Sequence, residues 1–290
     1  MLLSVRLQCY NHAMYLEQAL QSICSQNTNF PFEVVIGDDF STDDSIAIIK
    51  KTIAKNTNSN ISFCLLERTP GDDYYTQRKA KGRLYNFLDI VHQCQGKYIA
   101  LLDGDDFWTD PLKLQKQVDF LEANHDVSIS FHKAEMLING KIQPHKIDKE
   151  FLNTPFGYIE LLKHHNFIIS ASVVFRKPDN FMLPDWFCDV PFGDLALYKL
   201  ISQSGKIMGL NTSMCVYRVH DKGLYSGISK IQTRRSFVAF YNTIFPFLNT
   251  QEKTVVTSKI KATLLEIAKL KYPKNRVLRV LYYLYIRLKL

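Results

Sequence analysis

Short apolar runs alternate with helix-period segments from the first residues onward. Residues 2–7 read as a strand, and Tyr15, Leu16, Ala19, Leu20 and Ile23 repeat at helical spacing. Glu33-Val34-Val35-Ile36 predicts a second strand, ending at Gly37-Asp38-Asp39. Ser41-Thr42-Asp43-Asp44-Ser45 supplies caps for a helix whose apolar face is Ile46, Ile49 and Ile53. A third strand is predicted over 61–66. Strands and helices alternating at this spacing predict an α/β fold with a parallel sheet and right-handed crossovers. The polar stretch 67–81, with Pro70-Gly71-Asp72-Asp73, reads as a long loop. Residues 82–94 predict a helix that feeds the apolar run Tyr98-Ile99-Ala100-Leu101-Leu102. Beyond it come an amphipathic helix over 112–121, a strand over 127–131 and an Asn139-Gly140 hairpin turn. From about residue 145 the pattern loosens. Strands are predicted over 167–175 and 214–219, with a short helix over 194–202 stopped by Gly205.

Composition narrows the class. At 290 residues and 46% hydrophobic, the chain has enough apolar material for a full core and is not a disordered protein. It carries no internal repeat and no low-complexity tract. Its first residues form too short an apolar run for a secretory signal, and no run reaches the length of a membrane span. Six scattered cysteines without a Cys-x-x-Cys pair predict reduced thiols in a cytoplasmic protein, not disulfides or zinc. Charge is concentrated at one end. Residues 251–290 hold ten Lys/Arg against two Glu, a net +8, which is the net charge of the whole chain. Residues 1–250 are therefore neutral overall, which argues against a nucleic-acid groove running through the main domain. In the tail, Arg276, Arg279 and Arg287 fall on one helical face, and Leu278, Leu281, Tyr285 and Leu288 on another. Such a helix, over 274–290, either lies in an anionic membrane interface on the inner face of the cytoplasmic membrane or packs its apolar stripe on the main domain.

The candidate chemistry begins where the 98–102 run stops at Asp103-Gly104-Asp105-Asp106. Thr109-Asp110-Pro111 then opens a helix, so the carboxylates sit just past the carboxyl end of a strand, where open α/β sheets bind ligands. Three like charges this close repel, and a hard divalent cation with oxygen ligands would relieve them. The competing reading is a solvated acidic turn that caps the helix.

Several motifs resemble, in order, those of family 2 glycosyltransferases of the GT-A fold. Tyr10-Asn11, Tyr15-Leu16-x-x-Ala19-Leu20-x-Ser22 and Gln26 resemble the family's opening. Asp38-Asp39-Phe40-Ser41-Thr42-Asp43 resembles its second motif, and 96–108 its metal-site strand and Asp-x-Asp motif. Pro111-Leu112-Lys113-Leu114-Gln115-x-Gln117 resembles the helix that follows. Gly193-Asp194 and Tyr217-Arg218-Val219-His220 resemble the late acidic and arginine–histidine motifs. The match runs over roughly 2–227, and ordered motifs are far more specific than any one of them. One departure is Gln8-Cys9, where the family commonly has a proline; it touches backbone stiffness more than chemistry.

The resemblance implies a Rossmann-like, mostly parallel GT-A domain over 1–229, followed by a helical basic extension over 230–290. It implies a metal-dependent inverting glycosyltransferase of hexosyl or N-acetylhexosaminyl type. The donor would be a nucleotide sugar, a UDP-sugar first, and the acceptor a hydroxyl of a glycan or lipid-linked saccharide in cell-surface polysaccharide or lipopolysaccharide biosynthesis. The cofactor would be Mn²⁺ or Mg²⁺, a Lewis acid for the diphosphate leaving group. Asp105 is then the first metal ligand, with Asp103 holding the ribose or a metal-bound water and Asp106 supporting either role. His220 would complete the metal site and favour Mn²⁺; otherwise it is a surface histidine in a turn. Arg218 meets a phosphate or makes an ordinary salt bridge. Asp38 and Asp39 read the base and ribose, cap the following helix, or do both. Asn11, Gly82 and Arg83 are further nucleotide-facing candidates, Asn11 alternatively a simple cap. Asp194 is the general base that takes the acceptor proton, or a helix N-cap, with Asp189 as the fallback base. Trp108, Trp186 and Phe187 offer flat faces to sugar rings or belong to the core. A sugar nucleotidyltransferase or dinucleotide oxidoreductase would need a glycine-rich loop where Cys9-Tyr10-Asn11-His12 stands. A sugar-nucleotide-binding protein without turnover remains the non-enzymatic alternative.

Overall fold

The structure, a computed structural model, describes residues 1–164, 166–221, 223 and 228–288. In chain order the elements are β1 (Leu3–Cys9), α1 (Ala13–Cys24), β2 (Phe32–Asp38), α2 (Ser45–Lys55), β3 (Ile61–Leu65), α3 (Asp73–Lys81), α4 (Leu84–Gln93), β4 (Tyr98–Asp103) and β5 (Phe107–Trp108). Then follow α5 (Lys113–Ala123), β6 (Val127–Ile138), β7 (Lys141–Pro144), α6 (Tyr158–Lys163), β8 (Val174–Arg176), α7 (Gly193–Ile201), β9 (Lys206–Val219), α8 (Lys230–Ile244), α9 (Thr250–Lys271) and α10 (Arg276–Leu288).

The strands form one sheet in the order β3-β2-β1-β4-β8-β6-β9-β5, with β7 paired to β6. β1, β2, β3 and β4 are mutually parallel, as the strand–helix alternation predicts. β8 runs antiparallel to both β4 and β6, so the sheet is mixed beyond β4. Helices cover both faces of the parallel half. β1, β2 and β4 are therefore buried on both sides; β2 and β4 read as near-continuous apolar runs, whereas β1 alternates with Ser4, Arg6 and Gln8, and the edge strand β3 is only partly covered. Leu3, Val5, Leu7, Val34, Ile36, Ala100 and Leu102 all lie in one core cluster with Leu16, Leu20 and Ile23 of α1.

Register fixes the functional edge. Cys9 pairs with Asp38, and Gln8 with Asp103, so β1, β2 and β4 end level with one another. β1 sits between β2 on one side and β4 on the other. The chain thus turns in opposite directions from its neighbours, which makes the switch point at which open α/β sheets bind ligands.

Two compact units divide the chain. The first is Met1–Tyr158, Phe167–Cys188 and Gly193–Val219 and holds the whole sheet; the second is Ile159–Asn166, Asp189–Phe192 and His220–Leu290. In the second, α8 and α9 pack through Val238, Leu264 and Ile267, with Tyr282, Tyr283 and Ile286 of α10 against them.

Four local expectations change. The segment 67–81 is not all loop: 73–81 is helix α3, with Asp72 accepting from the N–H of Tyr75 at 2.7 Å as its N-cap. Of its side chains only Tyr74 is buried, so no apolar stripe announced it. The strand expected over 167–175 is paired only from Val174, because Ser170–Ser172 takes a 3₁₀ turn. β6 runs from Val127 through Ile138, past the expected end at 131. β9 begins at Lys206, well before 214, and its pairing with β6 carries register shifts that interrupt the alternation a strand search looks for.

Candidate active site

The carboxyl end of β2 is a hydrogen-bonded knot. Asp38 accepts from the backbone N–H of Ser41 at 2.8 Å and from its hydroxyl. Asn11 holds a positive φ of 52°, which asparagine tolerates better than most residues. Its N–H donates to the Ser41 hydroxyl at 2.8 Å, and its side-chain oxygen accepts from the N–H of Thr42 at 2.7 Å. The loops after β1 and β2 are thereby tied together. Asp39 is held from α3: Arg78 donates to both of its oxygens at 2.8 and 2.9 Å, and the Tyr74 hydroxyl adds a bond of 2.9 Å. Arg68 lies over the Tyr74 ring at 3.6 Å and donates to the Asp38 carbonyl, Asn86 and Asp89. Arg83 is the residue before α4, one position after Gly82, whose φ of +80° ends α3.

The acidic turn after β4 is built as tightly. Arg6, fully buried in mid-strand, donates to Asp103 at 2.8 Å and stacks on the Phe87 ring at 4.0 Å. A buried guanidinium needs such a partner, so the pair fixes the direction of the Asp103 carboxylate. Gly104 donates to the Gln8 carbonyl at 2.9 Å. A Cβ at Gly104 would come within 2.8 Å of the His12 ring, so the turn accepts no side chain there without movement. The His12 Nε2 stands 3.8 Å from an Asp105 oxygen. Asp106 is buried and accepts from the Arg218 N–H at 2.8 Å. Burial, then the charge of Asp105, pushes its carboxyl well above the ordinary carboxylate range; the Arg218 N–H opposes this, and Asp103 adds to it. The Arg218 guanidinium donates to the Asp105 carbonyl at 2.9 Å and to Gln18 at 2.7 Å, and lies 4.5 Å from the Tyr15 ring.

Asp194 opens α7. The preceding Gly193 is close-packed: a Cβ there would meet a Leu84 methyl at 2.9 Å, next to Arg83. One turn on, Tyr198 is fully buried, and burial followed by the charges of Asp194 and Asp103 raises its phenol. Tyr217, on β9, reports the whole cluster. Burial, then the charges of Asp106, Asp105, Asp103 and Asp194, pushes its phenol up.

His220 and Asp189 belong to the second unit. Trp108 is core: its ring N–H donates to the Ala171 carbonyl at 2.9 Å, and it is not open to a sugar. Phe187 is likewise fully buried, 5.3 Å from Phe87. Trp186 is half-buried.

Sequence reading passed over Arg6, His12, Arg68, Tyr74, Arg78 and Tyr198. Arg6 left one usable signal, a charge in mid-strand between the apolar Val5 and Leu7. Arg78 left none, because its partner lies 39 positions earlier across the sheet edge.

Among the described residues, no three His, Cys, Asp or Glu side chains form a metal cage. The donor set at the turn is hard oxygen, and the close carboxylates leave a surplus of negative charge. That fits Mg²⁺ or Mn²⁺, which take one or two protein carboxylates together with substrate phosphates.

The sequence model described as Glycosyl transferase family 2 matches residues 4–180. The chain belongs to this family. An uncharacterized protein of Mycobacterium tuberculosis is 32% identical over 240 residues, which is 79% of this chain and 61% of that protein. The chain thus spans about three-fifths of that relative's length. The poly(ribitol-phosphate) beta-N-acetylglucosaminyltransferase TarS of Staphylococcus aureus is 29% identical over 151 residues, 51% of this chain and 23% of that protein. The solved structure of TarS residues 1–349 with UDP-GlcNAc superposes with a TM-score of 0.62 at 16% identity, covering 93% of this chain and 81% of that one. A mannosyltransferase of Pyrobaculum calidifontis, solved with GDP-Man and Mn²⁺, gives 0.60 at 14% identity, covering 99% and 79%. The mixed α/β sheet with its flanking helices is shared with these structures and is the GT-A fold.

Proposed function

We propose that this family 2 chain is an inverting, metal-dependent glycosyltransferase. It moves a hexosyl or N-acetylhexosaminyl group from a nucleotide sugar, a UDP-sugar first, to a hydroxyl of a glycan or lipid-linked saccharide. The setting proposed is cell-surface polysaccharide or lipopolysaccharide biosynthesis at the inner face of the cytoplasmic membrane; the likeness to TarS, by name a poly(ribitol-phosphate) beta-N-acetylglucosaminyltransferase, supports a polymeric acceptor. The observation that carries the reading is the acidic turn after β4, at the switch point of the sheet, where Arg6 aims Asp103, and Arg218 of β9 holds both Asp106 and the Asp105 carbonyl.

Each residue has a role in this reading. Asp38, braced by Ser41, and Asn11 line the nucleotide's base and ribose, with Asp39 and Arg83 beside them. Asp103, aimed by Arg6, accepts from a ribose hydroxyl or from a metal-bound water. Asp105 would hold the cation. When bound, the cation neutralises the diphosphate as it leaves. Asp106 and Arg218 fix the turn, and Arg218 keeps positive charge beside the departing phosphates. Asp194 takes the proton of the acceptor hydroxyl while that oxygen bonds to the anomeric carbon. The bond to the diphosphate oxygen breaks on the opposite face, which inverts the centre.

The test is a screen of UDP-, GDP- and dTDP-sugars for donor consumption by the full chain with Mn²⁺, against a chelator control. Consumption of one nucleotide class, abolished by chelation, is expected. No consumption of any donor, or consumption indifferent to chelation, contradicts the proposal.

A further inference from the structure

Helix α10 carries an apolar surface that nothing in its own unit covers. Val277, Leu278, Val280, Leu281, Leu284, Tyr285 and Leu288 are exposed by 43 to 88%. They make up seven of the sixteen large apolar side chains exposed among the described residues, within thirteen positions of sequence. At about 100° per residue they fill one arc of roughly 160°. Tyr282, Tyr283 and Ile286 point the other way and pack on α8 and α9. The helix is therefore anchored by one face and presents a second, independent apolar face.

Its flanks are basic. Arg276 and Arg287 border the arc on one side, in a segment where ten Lys/Arg stand against two Glu. A second copy of this chain would bring the same net +8 against itself, so charge argues against self-association through this face. An anionic lipid surface matches both features. Apolar side chains enter the acyl boundary while arginines reach the headgroups, and Tyr285 suits the interface between them. At thirteen residues the helix is too short to span a bilayer, and no described helix is long and apolar enough to cross one. It would lie in the surface.

We infer that α10 is an interfacial anchor, seated through Val277, Leu281, Leu284 and Leu288 in a membrane leaflet rich in anionic lipid. This adds a named surface and a lipid class to the proposed membrane location. It depends on that location alone and not on the transfer chemistry.

The test is co-sedimentation of the full chain, without donor, on vesicles of phosphatidylcholine alone and on vesicles that also contain phosphatidylglycerol. Binding is expected only with phosphatidylglycerol, and weaker at high salt. A Leu281→Ser/Leu284→Ser variant should lose about tenfold in partitioning, as should Arg276→Glu/Arg287→Glu. If the first fails to fold by circular dichroism, Val277→Ser/Leu288→Ser removes the two most exposed positions and should show the same loss. Absence of vesicle binding, equal binding to both compositions, or variants that bind as wild type would overturn the inference. So would a loss confined to oligomeric mass in sedimentation analysis, which would assign the face to a second copy. Donor consumption by the same samples is read separately, so either proposal can fail alone.

Discussion

Arg6 and Lys113 are charged side chains inside the core, and they differ in how they are satisfied. Arg6 has an acidic partner, and the pair aims Asp103. Lys113 has its Nζ 4.1 Å from the centre of the Trp108 ring and no hydrogen-bond acceptor. Burial holds its ammonium down to about 7. In the unfolded chain the same group titrates near ~10.4. Between those values the unfolded state binds a proton that the folded state has released, so stability rises with pH across that window. The burial penalty is fully present below pH 7. Equilibrium urea unfolding should therefore show a midpoint that climbs from pH 7 toward about 8, before the unfolded thiols, half-ionised at about 8.5, offset the trend. Lys113→Met, similar in length and apolar, should raise the midpoint at pH 7 and flatten the climb. An unchanged slope in the variant would show that another group sets it.

Helix α3 shows where sequence reading reaches its limit. β2 and β4 were legible as apolar runs, and β1 by its alternation of Leu3, Val5, Leu7 and Cys9 with polar residues. Asp38, Asp103 and Asp105 were legible because they follow such runs directly. α3 was hidden because its outward surface is polar and its purpose is to carry Tyr74 and Arg78 to Asp39. A helix recruited for two polar contacts leaves no hydrophobic period. β8 was misjudged for a related reason: three paired residues are too few to display alternation. The capping contact of α3 makes its role measurable. Asp72 accepts from Thr69 and Tyr75, both at 2.7 Å. Asp72→Ala should speed amide hydrogen exchange across 73–81 by several-fold, since a lost N-cap frays the first turn. It should also raise the donor KM more than it lowers kcat, because Arg78 steadies Asp39 and does not touch the reacting bond. Unchanged exchange would mean that tertiary contacts, not the cap, hold α3.

The sheet explains why one chain end can serve chemistry and the other something different. Level strand ends at β1, β2 and β4 gather Asp38, Asp103 and the turn after it, while the second unit holds the basic helices. The central claim is a division of labour among the acids: Asp105 secures the cation and diphosphate, and Asp194 removes the acceptor proton. The most direct test is calorimetric titration of the Mn²⁺-loaded donor nucleotide into wild type, Asp105→Asn and Asp194→Asn, with transfer read on the same samples. Asp105→Asn should lose the Mn²⁺-dependent part of nucleotide affinity. Asp194→Asn should keep that affinity within about twofold while transfer falls by roughly 10²–10⁴, the usual contribution of a general base. Transfer at the wild-type rate by Asp194→Asn, or nucleotide binding by Asp105→Asn that responds to Mn²⁺ as wild type does, would contradict the account.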